Sequence, residues 1–248
     1  MRLQDKVAIV TGAGCGFGAG IAQRYAAEGA KVLVADIDGA RAERVAGEIG
    51  SAARASAADV ANGADFARMV DETLSAFGRL DIVVNNAGIT HRNQPLLEVD
   101  EATYDRVFAV NVKSIYWSAQ HAVPVFRRQG GGCFVNIAST AGLRPRPGLT
   151  WYNGTKGAVI IISKSMAVEL APDRIRVNAL CPVIGETGLT AEFMGGDSPE
   201  LRARFVGTIP LGRMSLPKDV AAAALFLASD EAEFFTGVAL EVDGGRCV

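Results

Sequence analysis

Short apolar runs alternate with amphipathic stretches along the whole chain. Residues 7–10, 31–35, 53–58, 80–84, 133–138, 175–180 and 238–242 are such runs, with the length and punctuation expected of strands. Between them, apolar positions recur at helical spacing up to residue 28 and over about 41–49, 64–77, 104–129, 152–166 and 216–228. Gly29 stops the first of these helices, and a Pro-x-Asp start opens the last. The segment over about 188–210 is less regular and only partly helical, as a lid over a substrate would be. No repeat, linker or low-complexity stretch interrupts the alternation. It predicts an α/β fold: one doubly wound parallel sheet of about seven strands, helices on both faces, in a single domain over residues 1–248.

Composition narrows the possible partners. With 248 residues, 49% of them hydrophobic, the chain can bury a large core, and a net charge of −2 offers no basic face to nucleic acid or to a membrane. Cys15, Cys133, Cys181 and Cys247 are far apart, with no CxxC pair and no histidine at ligand spacing, so neither a disulfide framework nor a metal site is expected. The only histidines are His91 and His121, too few for histidine-based catalysis. No signal peptide precedes the first strand and no apolar run reaches membrane-spanning length. The expectation is a soluble, cytoplasmic protein with reduced thiols.

The first candidate site follows the first strand: Thr11-Gly12-Ala13-Gly14-Cys15-Gly16-Phe17-Gly18, running straight into a helix. Strand, glycine-rich turn and helix N-terminus make an anion site from backbone N–H groups and the helix dipole, and glycine lets a diphosphate come close. The loop is therefore expected to hold a dinucleotide through Gly12, Cys15, Gly16, Phe17 and Gly18. Asp36 ends the second strand, 18 residues past Gly18. A carboxylate there bonds adenosine ribose hydroxyls and opposes a 2′-phosphate, favouring NAD over NADP; a helix cap is its other reading. Ile37 follows, with no basic residue directly after, and Asp59-Val60 and Asn86-Ala87-Gly88 close the third and fourth strands.

The second candidate is the stretch from Ser139 to Lys156. Ser139 sits just past a strand end, and Tyr152 and Lys156 are four apart, hence on one face of the helix that follows. A hydroxyl, a phenol and an ammonium brought together suggest proton transfer at an oxygen. Alone, Tyr-x-x-x-Lys is common in helices, and a serine after a strand is ordinary turn chemistry. Asn111 lies inside an apolar helical stretch, where an amide wants a partner such as a water or a neighbouring carbonyl.

Taken in order, these residues resemble the short-chain dehydrogenases/reductases, in their compact Rossmann-like form. Thr11, Gly12, Gly16 and Gly18 match that family's T-G-x-x-x-G-x-G, and residues 85–88 its N-N-A-G. Asn111 matches its helix asparagine, Ser139 its serine 13 residues before the tyrosine, and Tyr152 and Lys156 its Y-x-x-x-K. The resemblance implies an NAD-dependent oxidoreductase with Tyr152 as general acid and base. Its phenol would be lowered by Lys156 and by the bound nicotinamide, and Ser139 would hold the substrate oxygen. Lys156 would hold the nicotinamide ribose, and Asn111 a water linking Lys156 to solvent. Pro182, Ile184 and Thr187 would reach the nicotinamide, and the family's homotetramer would be the assembly. One departure is Val183, where the family shows glycine in Pro-Gly-x-x-x-Thr, which puts the path of that loop in question.

The substrate is read from two loops, residues 90–94 and 143–147. They carry Arg92, Arg144 and Arg146, with Trp151 beside the tyrosine. Arginine suits carboxylate, phosphate or sulfonate, so these four residues are candidate contacts to a polar, possibly anionic, secondary alcohol such as a sugar acid or a sulfonated alcohol. The same arginines could instead be solvated, or bond a carbonyl or another subunit. Two other functions remain: a 3-oxoacyl thioester reductase, and a dinucleotide-sensing protein without catalysis.

Overall fold

The computed structural model describes residues 1–248. Its strands are β1 (Val7–Thr11), β2 (Lys31–Asp36), β3 (Ala53–Ala57), β4 (Ile82–Asn85), β5 (Gly132–Ile137), β6 (Ile175–Pro182) and β7 (Ala239–Val242). They form one sheet in the order β3-β2-β1-β4-β5-β6-β7, with every neighbouring pair parallel. The order reverses between β1 and β4, and a crevice opens at the carboxyl ends of the strands there.

The helices divide between the two faces. On one face α1 (Gly16–Ala27), α2 (Gly39–Ile49) and α9 (Pro217–Ala228) cover Ala8, Val10, Val32 and Val34. On the other, α3 (Gly63–Phe77), α5 (Ser114–Gln129) and α6 (Thr150–Leu170) cover Ile9, Leu33 and Ala35. Alternate residues of each strand thus enter opposite cores, so the strands read as continuous apolar runs.

Two features differ from the pattern in the sequence. The single helix expected over 104–129 is α4 (Glu101–Phe108) and α5 joined by a π-helical turn, Ala109–Lys113. That turn holds Asn111, whose amide bonds outside the helix; such a bulge is how a helix places one side chain out of its regular register. Second, β6 runs two residues further than its apolar core suggested, through Pro182, and Val183 N–H continues the pairing by donating to Val242 O at 3.2 Å. The segment over 188–210 contains two short helices, α7 (Thr190–Met194) and α8 (Pro199–Val206). It packs through Val183, Ile184, Met194, Phe205, Ile209 and Met214, and Asn93 N–H donates to Glu192 O at 3.2 Å, fastening it to the 90–94 loop.

Buried polar side chains hold the strand ends in line. Asn85 and Asn136 are register partners; Asn85 Nδ2 donates to Asn136 Oδ1 at 2.8 Å and to Ser118 Oγ at 3.0 Å, and Asn136 Nδ2 to Ser163 Oγ at 2.9 Å. The ladder fixes β4 and β5 against α5 and α6, which carry the residues of the crevice.

Candidate active site

The crevice is a cleft of about 360 Å³. One end is lined by Asp36, Ile37, Asp59 and Val60, the middle by Gly12, Cys15, Gly16, Phe17 and Asn86–Gly88, and the other end by Ser139, Tyr152, Lys156, Pro182, Ile184 and Thr187. The structure thus brings the sequence-predicted cofactor residues to one cavity, with one exception. Gly18 is buried beneath the loop, and a Cβ on it would stand 2.2 Å from Gly12 O and 2.5 Å from Asn86 Nδ2. Its lack of a side chain serves the close packing of α1 against the strand ends, not contact with a ligand.

The glycine loop is propped from below. Thr11 Oγ1 accepts from Asn86 N and Ala87 N, both at 3.1 Å, and Asn86 Nδ2 donates to Thr11 O at 2.8 Å and Gly12 O at 3.0 Å. Gly12 and Gly16 have φ of 61° and 55°, the left-handed region glycine enters without strain. No side chain caps α1 at Cys15, so first-turn N–H groups are left for a ligand. Asp36 accepts from Gly14 N at 2.9 Å and Asp38 N at 3.0 Å; the cap of α2 is Asp38, not Asp36. An elongated cleft with an uncapped helix end at its middle and a carboxylate at one end fits a dinucleotide with a central diphosphate.

At the far end, Ser139 follows β5, and α6 presents Tyr152 and Lys156 from successive turns. Ser139 Oγ accepts from Ala141 N at 3.1 Å. Tyr152 and Lys156 are both buried. Lys156 Nζ donates to Ile137 O at 2.8 Å and stands 5.8 Å from the Tyr152 ring centroid. A Cβ on Gly88 would lie 3.3 Å from both Lys156 Nζ and Asn111 Oδ1, so only glycine leaves that corner open.

Burial governs the charges here. It pulls the Lys156 ammonium down to about 8 and pushes the Tyr152 phenol up to about 12, with the Ser139 hydroxyl pulling the other way. In the cofactor-free chain burial thus sets the phenol, and the Lys156 ammonium is turned to a backbone carbonyl. Asn111 finds the neighbouring partners that a buried amide needs. Its Nδ2 donates to Ile89 O at 2.8 Å and Thr155 Oγ1 at 3.0 Å, and Oδ1 accepts from Ile89 N at 2.9 Å. Both amide protons are thus engaged with protein groups, and the side chain ties the loop after β4 to α6.

The candidate substrate arginines do not line the cleft. Arg144 Nη1 donates to Arg246 O at 2.6 Å, and Arg146 donates to Thr208 Oγ1 at 3.0 Å while its guanidinium stacks 4.6 Å from the Phe205 ring centre. Trp151 Nε1 donates to Leu96 O at 3.3 Å, and Arg92 is exposed. Each side chain is engaged with the chain or with solvent, so a charged substrate contact inside the cleft does not come from these four. Around Tyr152 the cavity wall is instead Ile89, Thr90, Val183, Ile184, Leu189 and Phe193, with Phe193 edge-on to the phenol at 5.6 Å. Of this wall, sequence reasoning named only Ile184 as a contact, and the 90–94 loop that holds Thr90; Ile89, Val183, Leu189 and Phe193 come from loops and from α7, where no periodic pattern marks which residues turn inward. Val183 replaces the expected glycine without strain: its φ is not positive, its backbone extends β6, and its side chain is buried.

Comparison with known proteins agrees with this geometry. Residues 12–246 match the family described as Enoyl-(Acyl carrier protein) reductase. The chain is 54% identical over 250 residues to a 4-formylbenzenesulfonate dehydrogenase of Comamonas testosteroni, covering 99% of each. It is 38% identical to a 2-(S)-hydroxypropyl-CoM dehydrogenase of Xanthobacter autotrophicus, covering 98% of this chain and 97% of that one. Among solved structures it resembles a 3-ketoacyl-(acyl-carrier-protein) reductase from Brucella melitensis complexed with NADH, with a TM-score of 0.95, 49% identity, and coverage of 99% of this chain and 100% of that one. With these matches over nearly its whole length, the chain belongs to the short-chain dehydrogenase/reductase family.

Proposed function

We propose that the protein is an NAD-dependent dehydrogenase that interconverts an alcohol and its carbonyl compound, with Tyr152 as general acid and base. The observation that carries this reading is the placement of Ser139, Tyr152 and Lys156 at one end of a cleft whose other end carries Asp36. Gly12, Cys15, Gly16, Phe17 and the first turn of α1 would hold the diphosphate of NAD, Asp36 and Ile37 the adenosine, and Lys156, Ile184 and Thr187 the nicotinamide half. Bound there, NAD supplies the hydride acceptor, and NADH the donor.

The chain's own residues handle the proton. Tyr152, neutral at pH 7, is in the form required of an acid: it can give its phenolic proton to a carbonyl oxygen as that oxygen gains charge. Ser139 donates a hydrogen bond to the same oxygen and stabilises it. For oxidation the phenol must take the hydroxyl proton instead. Bringing it from about 12 to 8 requires about 5 kcal/mol of favourable interaction with positive charge, supplied by a protonated Lys156 and by the positive ring of the oxidised cofactor. Asn111 acts as a positioning residue, fixing the loop after β4 against α6.

The walls of the cleft favour a substrate with an aromatic or compact apolar body, with Phe193 against the catalytic phenol. The relative acting on 4-formylbenzenesulfonate supports an aromatic substrate and makes a sulfonate substituent worth testing. A second reading, a 3-ketoacyl thioester reductase, is supported by the solved neighbour of that name. That neighbour is complexed with NADH, so nucleotide choice does not separate the two readings; substrate does. The test follows NADH absorbance with benzylic and secondary alcohols, each with and without a 4-sulfonate, beside a 3-ketoacyl thioester. Turnover of the alcohols at least tenfold above the thioester is expected; the reverse order would replace the first reading with the second.

We further propose that the protein works as a homotetramer. The support is the set of large apolar side chains left exposed on α5 and α6, namely Tyr116, Ile161 and Val168, and at Phe234 and Phe235 before β7. A monomer mass by light scattering would refute it. No helix is long and apolar enough to cross a membrane.

A further inference from the structure

An electrostatic mismatch lies outside the cleft. Arg144 and Arg146 belong to an Arg-Pro-Arg-Pro run before α6, whose prolines fix φ and stiffen the loop. Asn153, next to Tyr152 on α6, donates Nδ2 to Arg146 O at 2.8 Å and anchors the loop to the catalytic helix. Arg144 reaches the C-terminal tail at Arg246 O, and the tail packs on the turn that follows α8: a Cβ on Gly244 would meet Ile209, and one on Gly245 would meet Pro210. Loop, α8 and tail thus bring Arg144, Arg146 and Arg246 together.

Arg144 has the terminal carboxyl at hand, Val248 O standing 3.4 Å from its Nη1, but no acid pairs with Arg146 or Arg246. Arg246 is only 8% exposed, yet its Nε is buried without a hydrogen-bond partner. The ion pairs of the chain include none of the three arginines. Asp243, on the same tail, turns its carboxylate to the N–H groups of Gly245 and Cys247. Burial, with Arg246 and Arg144 adding to it, pulls Arg146 down to about 10. Buried charge without a counter-charge is strongly unfavourable unless something outside the chain supplies one.

We propose that Arg146 and Arg246 form a binding site for a small oxyanion, a phosphate, sulfonate or carboxylate group, at the junction of the 143–149 loop, the end of α8 and the 243–248 tail. The Arg146 fork beside the Thr208 hydroxyl and the unpartnered Nε of Arg246 on the adjoining tail suit such a group. None of these residues lines the cleft, so the site is independent of the catalytic reading. An anion there would clamp α8 and the tail to the loop that Asn153 ties to α6.

The experiment titrates inorganic phosphate, and separately benzenesulfonate, into the full-length protein in Tris-chloride at constant ionic strength, by calorimetry and by melting temperature. Wild type is compared with Arg146→Gln and Arg246→Met. About one anion per chain is expected, bound at least tenfold more weakly by both variants. Arg246→Met, having lost an unpaired buried charge, should melt above wild type in chloride and lose that advantage in saturating phosphate. If Arg246→Met does not fold, Arg146→Lys, which keeps charge but loses the fork, should still weaken binding at least tenfold. If the anion is carried by the substrate, Arg146→Gln raises KM for a 4-sulfonated alcohol but not for its neutral parent, with kcat unchanged. If it is a free anion, neither KM moves. No phosphate or benzenesulfonate binding, or equal binding by wild type and variants, overturns the proposal. So does a wild type that binds no anion but whose assembly dissociates on Arg246→Met, since another copy of the chain would then supply the counter-charge.

Discussion

Replacing Lys156 by methionine should stabilise the protein while destroying its activity. In the folded, cofactor-free chain Lys156 is buried and its pKa is held at about 8, against an ordinary value of 10.5. The unfolded chain therefore binds this proton more tightly than the folded one. Above about pH 10.5 the amine is neutral in both states and burial costs no charge; as pH falls towards 8 the unfolded state gains the proton first, and stability is lost. Below pH 8 the full penalty applies, about 3 kcal/mol for 2.5 units at 1.36 kcal/mol each. Methionine keeps the length, removes the charge, and gives up the hydrogen bond to Ile137 O, worth about 1 kcal/mol. The net at pH 7 is a gain of about 2 kcal/mol, or roughly 4–8 °C in Tm for a chain of this size. Urea denaturation of both proteins from pH 6 to 10.5, without nucleotide, measures it. The advantage should be constant up to pH 7.5, shrink through pH 8–10, and reverse by about 1 kcal/mol near pH 10.5. A variant less stable than wild type at pH 7, or a difference that does not change with pH, would refute the reasoning.

Three other substitutions probe the cleft. Gly18→Ala places a methyl 2.2 Å from Gly12 O, so it should cost about 1–3 kcal/mol by overpacking and weaken NADH binding at least tenfold by fluorescence titration. Asp36→Asn removes the charge that faces a 2′-phosphate and one of the acceptors serving Gly14 and Asp38; the ratio of NADPH to NADH affinity should rise at least tenfold. Val183→Gly restores the family's usual residue but empties a buried position; with the lost side chain and the added backbone entropy it should lower stability by about 2–4 kcal/mol in urea titrations rather than improve turnover.

Much of this architecture was written in local pattern. Strands buried on both faces read as apolar runs, and the glycine loop with its flanking strand and helix announced an anion site before any coordinates. The spacing of Ser139, Tyr152 and Lys156 pointed to a shared site, and the structure brings them to one end of the cleft. Long-range packing was not legible. Nothing in Val110-Asn111-Val112 signals a π-helical turn, and the partners of Asn111 in that turn, Ile89 and Thr155, are far away in sequence. The balance at Tyr152 depends on how deeply α6 is covered, which no spacing reveals. Arg144 and Arg146 looked like substrate contacts because their loop borders the site; their partners are the tail, Phe205 of α8 and Thr208 just beyond it.

The most direct test of the central claim is NADH formation by wild type and by Tyr152→Phe under the same conditions, with NADH affinity measured on both. Phenylalanine keeps the ring against Phe193 and removes only the phenolic oxygen. The account predicts a fall in kcat of at least a thousandfold, with NADH affinity within about threefold of wild type. A phenylalanine variant that retained near-normal kcat would show that the proton is handled elsewhere, and the assignment of Tyr152 would be wrong.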